Sequence, residues 1–323
     1  MDLIRLGLQL PIFAAPGQPA EGIFPNVVAA ARTAEDVGFD SVWVMDHFAQ
    51  LPWLGSRSEP MLEAYTLLGA LAASTTSLNL GTLVTGVTYR NPALVAKMVT
   101  TLDVISGGRA ICGLGAAWYE EEHAGHGYDF PPTGERLDRL DEALQIVRAM
   151  FREELPSFAG RYYRIHDAAN WPRPVRPGGP PILVGGGGER RTLRLVAQYA
   201  DACNVFGDAA TVRHKLGVLD AHCGDVGRDP AGICRTRLGT LVLAKTVKEA
   251  RASLVALAER RGVDVAELET TVTFGDPGKV AEEVTGLLAA GLDGVIFNVP
   301  DPADVEAIAL AGATLRPVVD AHR

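Results

Sequence analysis

The sequence predicts an α/β fold of the (β/α)₈ TIM-barrel class, formed by a single domain over residues 1–323. Short apolar runs alternate with longer amphipathic stretches along nearly the whole chain, which is the order of strands and helices in parallel α/β proteins. Eight such runs occur, and no change in composition divides the chain into two parts. An open doubly wound sheet would have fewer strands or a second domain, so the barrel is favoured.

The predicted strands are nearly continuous apolar segments, as expected for parallel strands that are buried on both faces. They cover residues 3–10, 40–45, 78–84, 109–114, 181–185, 201–205, 235–244 and 293–298. Amphipathic stretches between them predict helices over residues 25–37, 61–74, 92–105, 135–152, 189–199, 246–261 and 277–290. Asn91 and Pro92 mark the start of one helix, because Asn is a frequent N-cap and Pro fits the first helical turn.

Two segments interrupt this alternation and are predicted to be insertions into the barrel. Residues 116–135, after the fourth strand, contain three glycines and two prolines and are expected to form a loop. Residues 155–180, before the fifth strand, contain five prolines. Long connections in a compact barrel are usually functional or cover a site.

Charge and composition restrict the possible partners. The formal net charge of −9 disfavours binding to nucleic acid or to an anionic membrane, because no basic patch forms without local clustering. The four cysteines form no C-x-x-C pair and predict no disulfide framework. The N-terminus does not resemble a signal peptide, and no apolar run approaches the ~18 residues that span a bilayer. We expect a cytoplasmic protein that acts on a small molecule.

The end of the second predicted strand offers groups for chemistry. In this fold the reacting groups come from the C-terminal ends of the strands, and Asp46 and His47 lie there. An imidazole is well suited to proton transfer near neutral pH. We therefore predict that His47 is catalytic and that Asp46 orients it by accepting a ring N–H. The alternative is that Asp46 caps a turn and His47 only packs.

Glycines follow the fourth and fifth strands. Gly113 and Gly115 lack the third glycine of a dinucleotide fingerprint, but they would let a flat ring approach the backbone closely. The run Gly185, Gly186, Gly187 and Gly188 precedes a predicted helix. Free backbone N–H groups and the helix dipole favour an anion at such a place. The run therefore predicts a phosphate site, and a flexible turn is the alternative.

His123 and His126, beside the acidic run 120–122, also have the residue types of a metal site. No helix is evident through Gly125 and Gly127 to hold the ligands on one face, so no metal site is predicted. The chain has no G-x-S-x-G motif, so serine-hydrolase chemistry has no support.

Five segments, in this order, resemble the bacterial luciferase-like superfamily, and most closely its branch of coenzyme F420-dependent oxidoreductases. They are GFDSVWVMDHF (38–48), LGTLVTGVTYRNPALVAK (80–97), LDVISGGRAICGLGAAWYEEE (102–122), PILVGGGGERRTLRLVAQYAD (181–201) and GDPGKVAEEV (275–284). The resemblance covers essentially the whole chain. It implies hydride transfer between the deazaflavin coenzyme F420 and a small organic substrate, and, by analogy, a homodimer.

The resemblance also implies where the cofactor binds. Asp46 and His47 would lie near the deazaflavin ring, and the back of the ring would rest on a bulge with a cis peptide at Leu83 and Val84. The remaining contacts would come from Thr85, Gly86, Gly113, Gly115, Trp118 and Tyr119, and the phosphodiester of the tail would bind at 185–188.

One departure bears on the substrate. Relatives that oxidise glucose 6-phosphate carry an acidic residue directly after the G-x-G of the fourth strand, and this chain has Ala116 there. The resemblance therefore leaves the substrate open. Two other functions also stay open: a two-component monooxygenase that uses FMN and oxygen, and a barrel that binds a flavin or deazaflavin without turnover.

Overall fold

A closed barrel of eight parallel strands forms the centre of the molecule. The computed structural model describes residues 4–14, 18–301 and 303–322. Each barrel strand pairs with the next along the chain, and the eighth pairs with the first. This confirms the predicted (β/α)₈ barrel. The strands are β1 (Leu6–Leu10), β2 (Ser41–Val44), β3 (Asn79–Thr82), β4 (Ala110–Gly115), β5 (Ile182–Gly185), β6 (Ala202–Val205), β7 (Cys234–Leu243) and β8 (Gly294–Asn298).

Successive side chains of the strands point to opposite faces, and one set fills the inside of the barrel. Trp43 is fully buried there and packs among smaller apolar side chains. Its indole N–H donates to Ser41 Oγ at 2.9 Å. Gly7 and Gly81 leave the space for the indole, because a Cβ at either position would lie 2.9 Å from it. The other set of strand side chains forms the main core with the surrounding helices.

Helices follow the strands and surround the barrel. Those in the described part of the chain are α1 (Ala20–Asp36), α2 (Ala64–Ser74), α3 (Pro92–Ser106), α4 (Glu120–His126), α5 (Thr133–Arg152), α6 (Thr192–Tyr199), α7 (Ala209–Val226), α8 (Val247–Arg261), α9 (Val265–Glu269), α10 (Pro277–Leu288) and α11 (Val305–Ala321). The start of α3 is as predicted, because the Asn91 side chain accepts a hydrogen bond from Ala93 N at 2.9 Å.

The two insertions contain more structure than the sequence indicated. The expectation of a loop over 116–135 is wrong, because α4 and the start of α5 lie in it. Gly127 does not interrupt α4 but ends it, with φ 74° in the left-handed region that glycine adopts without cost. The segment 155–180 contains a two-stranded antiparallel hairpin, Phe158–Ala159 with Arg164–Ile165.

Two further short strands extend the sheet at the C-terminal end of the barrel. Thr85–Gly86 pairs with β4 immediately after a break in the third strand, and Thr273–Gly275 pairs with the last residues of β7. All four cysteines are buried. Among the helices that the structure describes, none is long and apolar enough to cross a membrane.

Candidate active site

Two cavities lie at the C-terminal mouth of the barrel. The smaller, of ≈ 370 Å³, lies beside the ends of β3, β4 and β5, and the larger, of ≈ 1040 Å³, extends past the ends of β1, β2, β7 and β8. Five side chains line both cavities: His47, Leu83, Trp118, Phe206 and Leu238. The predicted catalytic His47 therefore stands at the boundary between two spaces that a cofactor and a substrate would fill.

A buried glutamate fixes the orientation of His47. The Nδ1 atom of His47 lies 2.9 Å from Glu122 Oε2, and the Glu122 side chain is completely buried. An ionised carboxylate only accepts hydrogen bonds, so Nδ1 carries a proton and Nε2 is the ring nitrogen left for a ligand. The edge of the His47 ring packs against Trp118, with a centroid distance of 5.7 Å.

Four donors hold the Glu122 carboxylate. Besides His47, it accepts hydrogen bonds from Phe48 N at 2.7 Å, Ala49 N at 3.1 Å and the Tyr89 hydroxyl at 2.6 Å. Burial by itself raises the pKa of Glu122, but the hydrogen bonds from His47, Tyr89 and Phe48 outweigh it and lower the pKa to about 2. Glu122 is thus a fixed negative charge beneath His47 at neutral pH.

The prediction that Asp46 orients His47 is wrong. Asp46 Oδ2 accepts a hydrogen bond from Arg90 Nη1 at 2.7 Å and another from Gly86 N at 3.2 Å. Asp46 and His47 are consecutive at the end of a strand, so their side chains point to different sides. Asp46 therefore supports the segment after β3, and the hydrogen-bond partner of His47 is Glu122.

The segment after β3 forms a bulge with a cis peptide bond between Leu83 and Val84. This is the feature that the family resemblance implied. Hydrogen bonds between hydroxyl groups stabilise the bulge, because Thr85 Oγ1 lies 2.7 Å from both Tyr65 Oη and Thr82 Oγ1. Leu83 and Val84 line the smaller cavity, whereas Thr85 is completely buried and does not.

The glycines of β4 and β5 make room for this bulge. A Cβ at Gly113 would overlap the carbonyl oxygen of Thr82. A Cβ at Gly115 would lie 2.6 Å from Val84 Cγ2, and one at Gly185 would lie 2.9 Å from Val84 Cγ1. The expected direct approach of a flat ring to Gly113 is therefore wrong, because the backbone of the third strand already occupies that side.

The glycine run after β5 does not lead directly into a helix. The turn 189–191 intervenes, and α6 begins at Thr192, three residues later than predicted. Gly186 has φ 119° and donates its N–H to Asn204 O at 3.1 Å. Gly185, Gly186 and Gly188 line the smaller cavity, but Gly187 does not.

Most of the predicted cofactor-binding residues thus come together. All of them line the smaller cavity except Thr85, Gly113 and Gly187. Sequence reasoning missed Asn204 and Phe206, at the end of β6, and Leu238, in the middle of β7, which carry no motif. It also missed Glu122, for which the only signal was an acidic run directly before a histidine.

The two histidines of α4 have protein partners. His123 Nδ1 lies 2.7 Å from Tyr119 O, and His123 Nε2 lies 2.7 Å from Thr88 Oγ1. His126 Nδ1 lies 3.0 Å from Glu122 O. The absence of a helix was the wrong reason to reject a metal site here. Within the ranges that the structure describes, no three His, Cys, Asp or Glu residues are grouped to hold a metal ion.

Known proteins resemble this chain in sequence and in fold. The family profile of luciferase-like monooxygenases matches residues 4–290. The F420-dependent glucose-6-phosphate dehydrogenase of Kineococcus radiotolerans is 30% identical over 306 residues, which cover 87% of this chain and 89% of the relative.

Two solved structures share the fold at lower identity. One is an F420-dependent secondary alcohol dehydrogenase in complex with an F420-acetone adduct, with a TM-score of 0.82, 21% identity and coverage of 98% of this chain and 99% of that one. The other is the coenzyme F420-dependent tetrahydromethanopterin reductase of Methanopyrus kandleri, with a TM-score of 0.79, 20% identity and coverage of 97% and 99%. Profile, relative and fold agree, and the chain belongs to the luciferase-like monooxygenase family.

Proposed function

We propose that this protein is a coenzyme F420-dependent oxidoreductase that transfers a hydride between the deazaflavin and a small organic substrate. The observation that carries the proposal is the position of His47, which lines both cavities and has its Nδ1 held by Glu122. The F420-dependent relative described above, similar over 87% of the chain, supports the choice of cofactor.

The smaller cavity has the features that a deazaflavin requires. Leu83 and Val84 provide an apolar floor, and Val84 lies over Gly115 and Gly185, where a Cβ would come within 3.0 Å of its side chain. Trp118 adds an aromatic wall and stacks on Tyr119 with a centroid distance of 5.1 Å. A flat ring fits such a surface, and the glycine run 185–188 is the place for the phosphodiester. When bound, a deazaflavin supplies hydride transfer and reacts poorly with oxygen.

The side chains of the protein would then position the substrate and move a proton. The larger cavity holds the substrate, and Trp53, Trp118 and Phe206, all more than two-fifths exposed, limit the access of water at its rim. His47 Nε2 gives a proton to the substrate oxygen or takes one from it, because Nδ1 is occupied by Glu122. The ionised Glu122 keeps the His47 ring in place by accepting a hydrogen bond from Nδ1 at 2.9 Å.

The lining of the cavities disfavours a sugar phosphate as the substrate. Ala116 lines the smaller cavity, at the position where glucose-6-phosphate-oxidising relatives carry an acid. The wall of the larger cavity after β2 is apolar and contains Met45, Leu51 and Leu54. We infer a substrate with an apolar body. A cytoplasmic location stays a prediction from the sequence, and a homodimer stays an expectation by analogy with the family.

Replacing His47 tests this function. Secondary alcohols, ketones and aldehydes with apolar bodies are first screened for oxidation or reduction of F420 by the wild type. With a substrate found in this way, His47→Asn should slow single-turnover hydride transfer by about 10²- to 10⁴-fold, the usual contribution of general acid–base catalysis. Its affinity for F420 should stay close to that of the wild type.

Two results would overturn the proposal. A His47→Asn protein with the full single-turnover rate would remove His47 from the reaction. Oxygen consumption with reduced FMN, in the absence of any turnover of F420, would favour the two-component monooxygenase instead.

A further inference from the structure

The larger cavity contains a buried cation that forms no ion pair with any residue the structure describes. Arg237, on β7, is only 7% exposed and lines this cavity but not the smaller one. Its Nε donates to Gly207 O at 2.8 Å, whereas its buried Nη1 has no hydrogen-bond partner among the described residues. Buried charges are normally paired and hydrogen-bonded, so Nη1 can donate to a ligand that enters the cavity.

The nearest carboxylates do not fill that role. Glu283 accepts a hydrogen bond from the Thr273 hydroxyl at 2.6 Å, and Asp208 caps α7 by accepting one from Thr211 N at 2.8 Å. Both side chains belong to exposed residues, where solvent screens their charge. Burial lowers the pKa of Arg237, and Glu283 and Asp208 only partly offset this effect.

The local backbone makes room for the guanidinium. Gly239, two residues further on the same face of β7, also lines the larger cavity, and a Cβ there would overlap Arg237 Nη1. A second cation, Arg261 at the end of α8, lines the same cavity, and its buried Nε likewise has no partner among the residues described. The larger cavity therefore holds two buried donor atoms without a described partner, and the carboxylates of Asp208 and Glu283 line it as well.

The other end of the larger cavity is apolar. Met45, Leu51, Trp53 and Leu54 follow β2 and line it, and the strands β8 and β1 separate them from β7 around the barrel. A ligand that fills the cavity thus meets apolar side chains near His47 and hydrogen-bond donors near Arg237.

We propose that Arg237 binds an oxygen acceptor of the substrate, a carboxylate or a carbonyl group, carried on an apolar body. This group is distinct from the reacting carbon, which lies beside His47. The inference rests on the proposed function for the identity of the cavity as a substrate site, and it narrows the substrate class to amphipathic molecules with such an oxygen group.

Calorimetric titration with three probes of equal chain length tests the assignment without turnover. Octanoate carries a charged acceptor, octanamide a neutral carbonyl, and 1-octanol neither. Loss of a hydrogen bond to a charged group is expected to weaken binding about 10- to 100-fold. Arg237→Met should therefore bind octanoate, octanamide or both more weakly by this factor, while its affinity for 1-octanol stays unchanged. Weaker binding of octanoate alone would identify a site for a carboxylate, and weaker binding of both probes would identify a site for a carbonyl oxygen, charged or neutral.

Arg235→Met is the matched control, because Arg235 lies on the same strand but binds Asp220 at 2.5 Å and does not line the cavity. Arg237→Lys, which keeps the charge and loses the planar fork, should bind the probes with affinities between those of wild type and Arg237→Met. It also serves if Arg237→Met fails to fold, as checked by thermal unfolding.

Equal affinities of wild type and Arg237→Met for octanoate and octanamide, or no binding of either by wild type, would contradict the assignment. Titration of the same proteins with F420 separates the two proposals. If F420 fails to bind while the probes discriminate as expected, the proposed function is wrong and the Arg237 site stands. If F420 binds and the probes do not discriminate, only the Arg237 site is wrong.

Discussion

At the scale of single residues, the proposed chemistry depends on the hydrogen bond between His47 and Glu122. The sequence suggested Asp46 because it is adjacent, but the partner lies 75 positions further along the chain. Of the acidic run 120–122, only Glu122 is buried, while the other two residues are exposed. Three consecutive glutamates do not show which of them faces the interior. That depends on the orientation of α4, and the glycines at 125 and 127 argued against a helix there.

The hydrogen bonds to Glu122 predict a specific dependence of stability on pH. The pKa of Glu122 is lowered from 4.5 to about 2 in the folded protein, so the unfolded chain binds more protons between these values. The carboxylate therefore stabilises the fold fully above pH 4.5, by about 3 kcal/mol, and this contribution is lost as the pH falls towards 2. Glu122→Gln removes the charge, so it should be less stable than wild type at pH 7 and approach it at low pH.

Chemical denaturation of both proteins across this pH range measures the difference in the free energy of unfolding. Glu120→Gln is the matched control, since Glu120 lies in the first turn of the same helix and is exposed. It should follow the wild-type curve. A constant difference between wild type and Glu122→Gln from pH 7 to pH 2 would contradict the account.

At the scale of elements, the packing of the bulge after β3 against β4 and β5 shapes the smaller cavity. Gly115→Ala would place a Cβ 2.6 Å from Val84 Cγ2, so Val84 and the floor of the cavity must shift. Such overpacking typically costs about 1–3 kcal/mol. We expect Gly115→Ala to lower the free energy of unfolding by this amount and to weaken F420 binding measurably.

Thermal unfolding and F420 titration of Gly115→Ala are compared with Gly69→Ala. Gly69 lies inside α2, and a Cβ there would meet nothing within 4 Å. The control should bind F420 normally and be as stable as wild type or slightly more so, because alanine favours a helix. Wild-type affinity for F420 in Gly115→Ala would show that the bulge does not form the binding surface.

The elements differ in how well the sequence predicted them. All eight barrel strands were predicted within a few residues, because strands buried on both faces leave long apolar runs. The sequence pattern does not predict α4. Gly127 argues against a helix in the pattern, but in the structure it is the residue that ends the helix. The strand Thr273–Gly275 has three residues, too few for a periodic pattern to show.

At the scale of the whole molecule, the closed barrel gathers distant residues at one mouth. Parallel strands present their C-terminal ends together, and residues at or after the ends of β2, β3, β4 and β5 line the smaller cavity. What the strand order could not supply was the division of that mouth into two cavities. Five side chains line both spaces, and two of them, Phe206 and Leu238, belong to no recognisable motif.

The central claim is that the smaller cavity selects coenzyme F420, and an equilibrium titration of the purified protein with F420 and with FMN tests it most directly. Quenching of the cofactor fluorescence reports binding of each without any knowledge of the substrate. We expect F420 to bind more tightly than FMN. The smaller cavity has the Leu83–Val84 floor beside the glycine run, and the sequence is similar to that of an F420-dependent relative. An affinity for FMN equal to or greater than that for F420 would contradict the account.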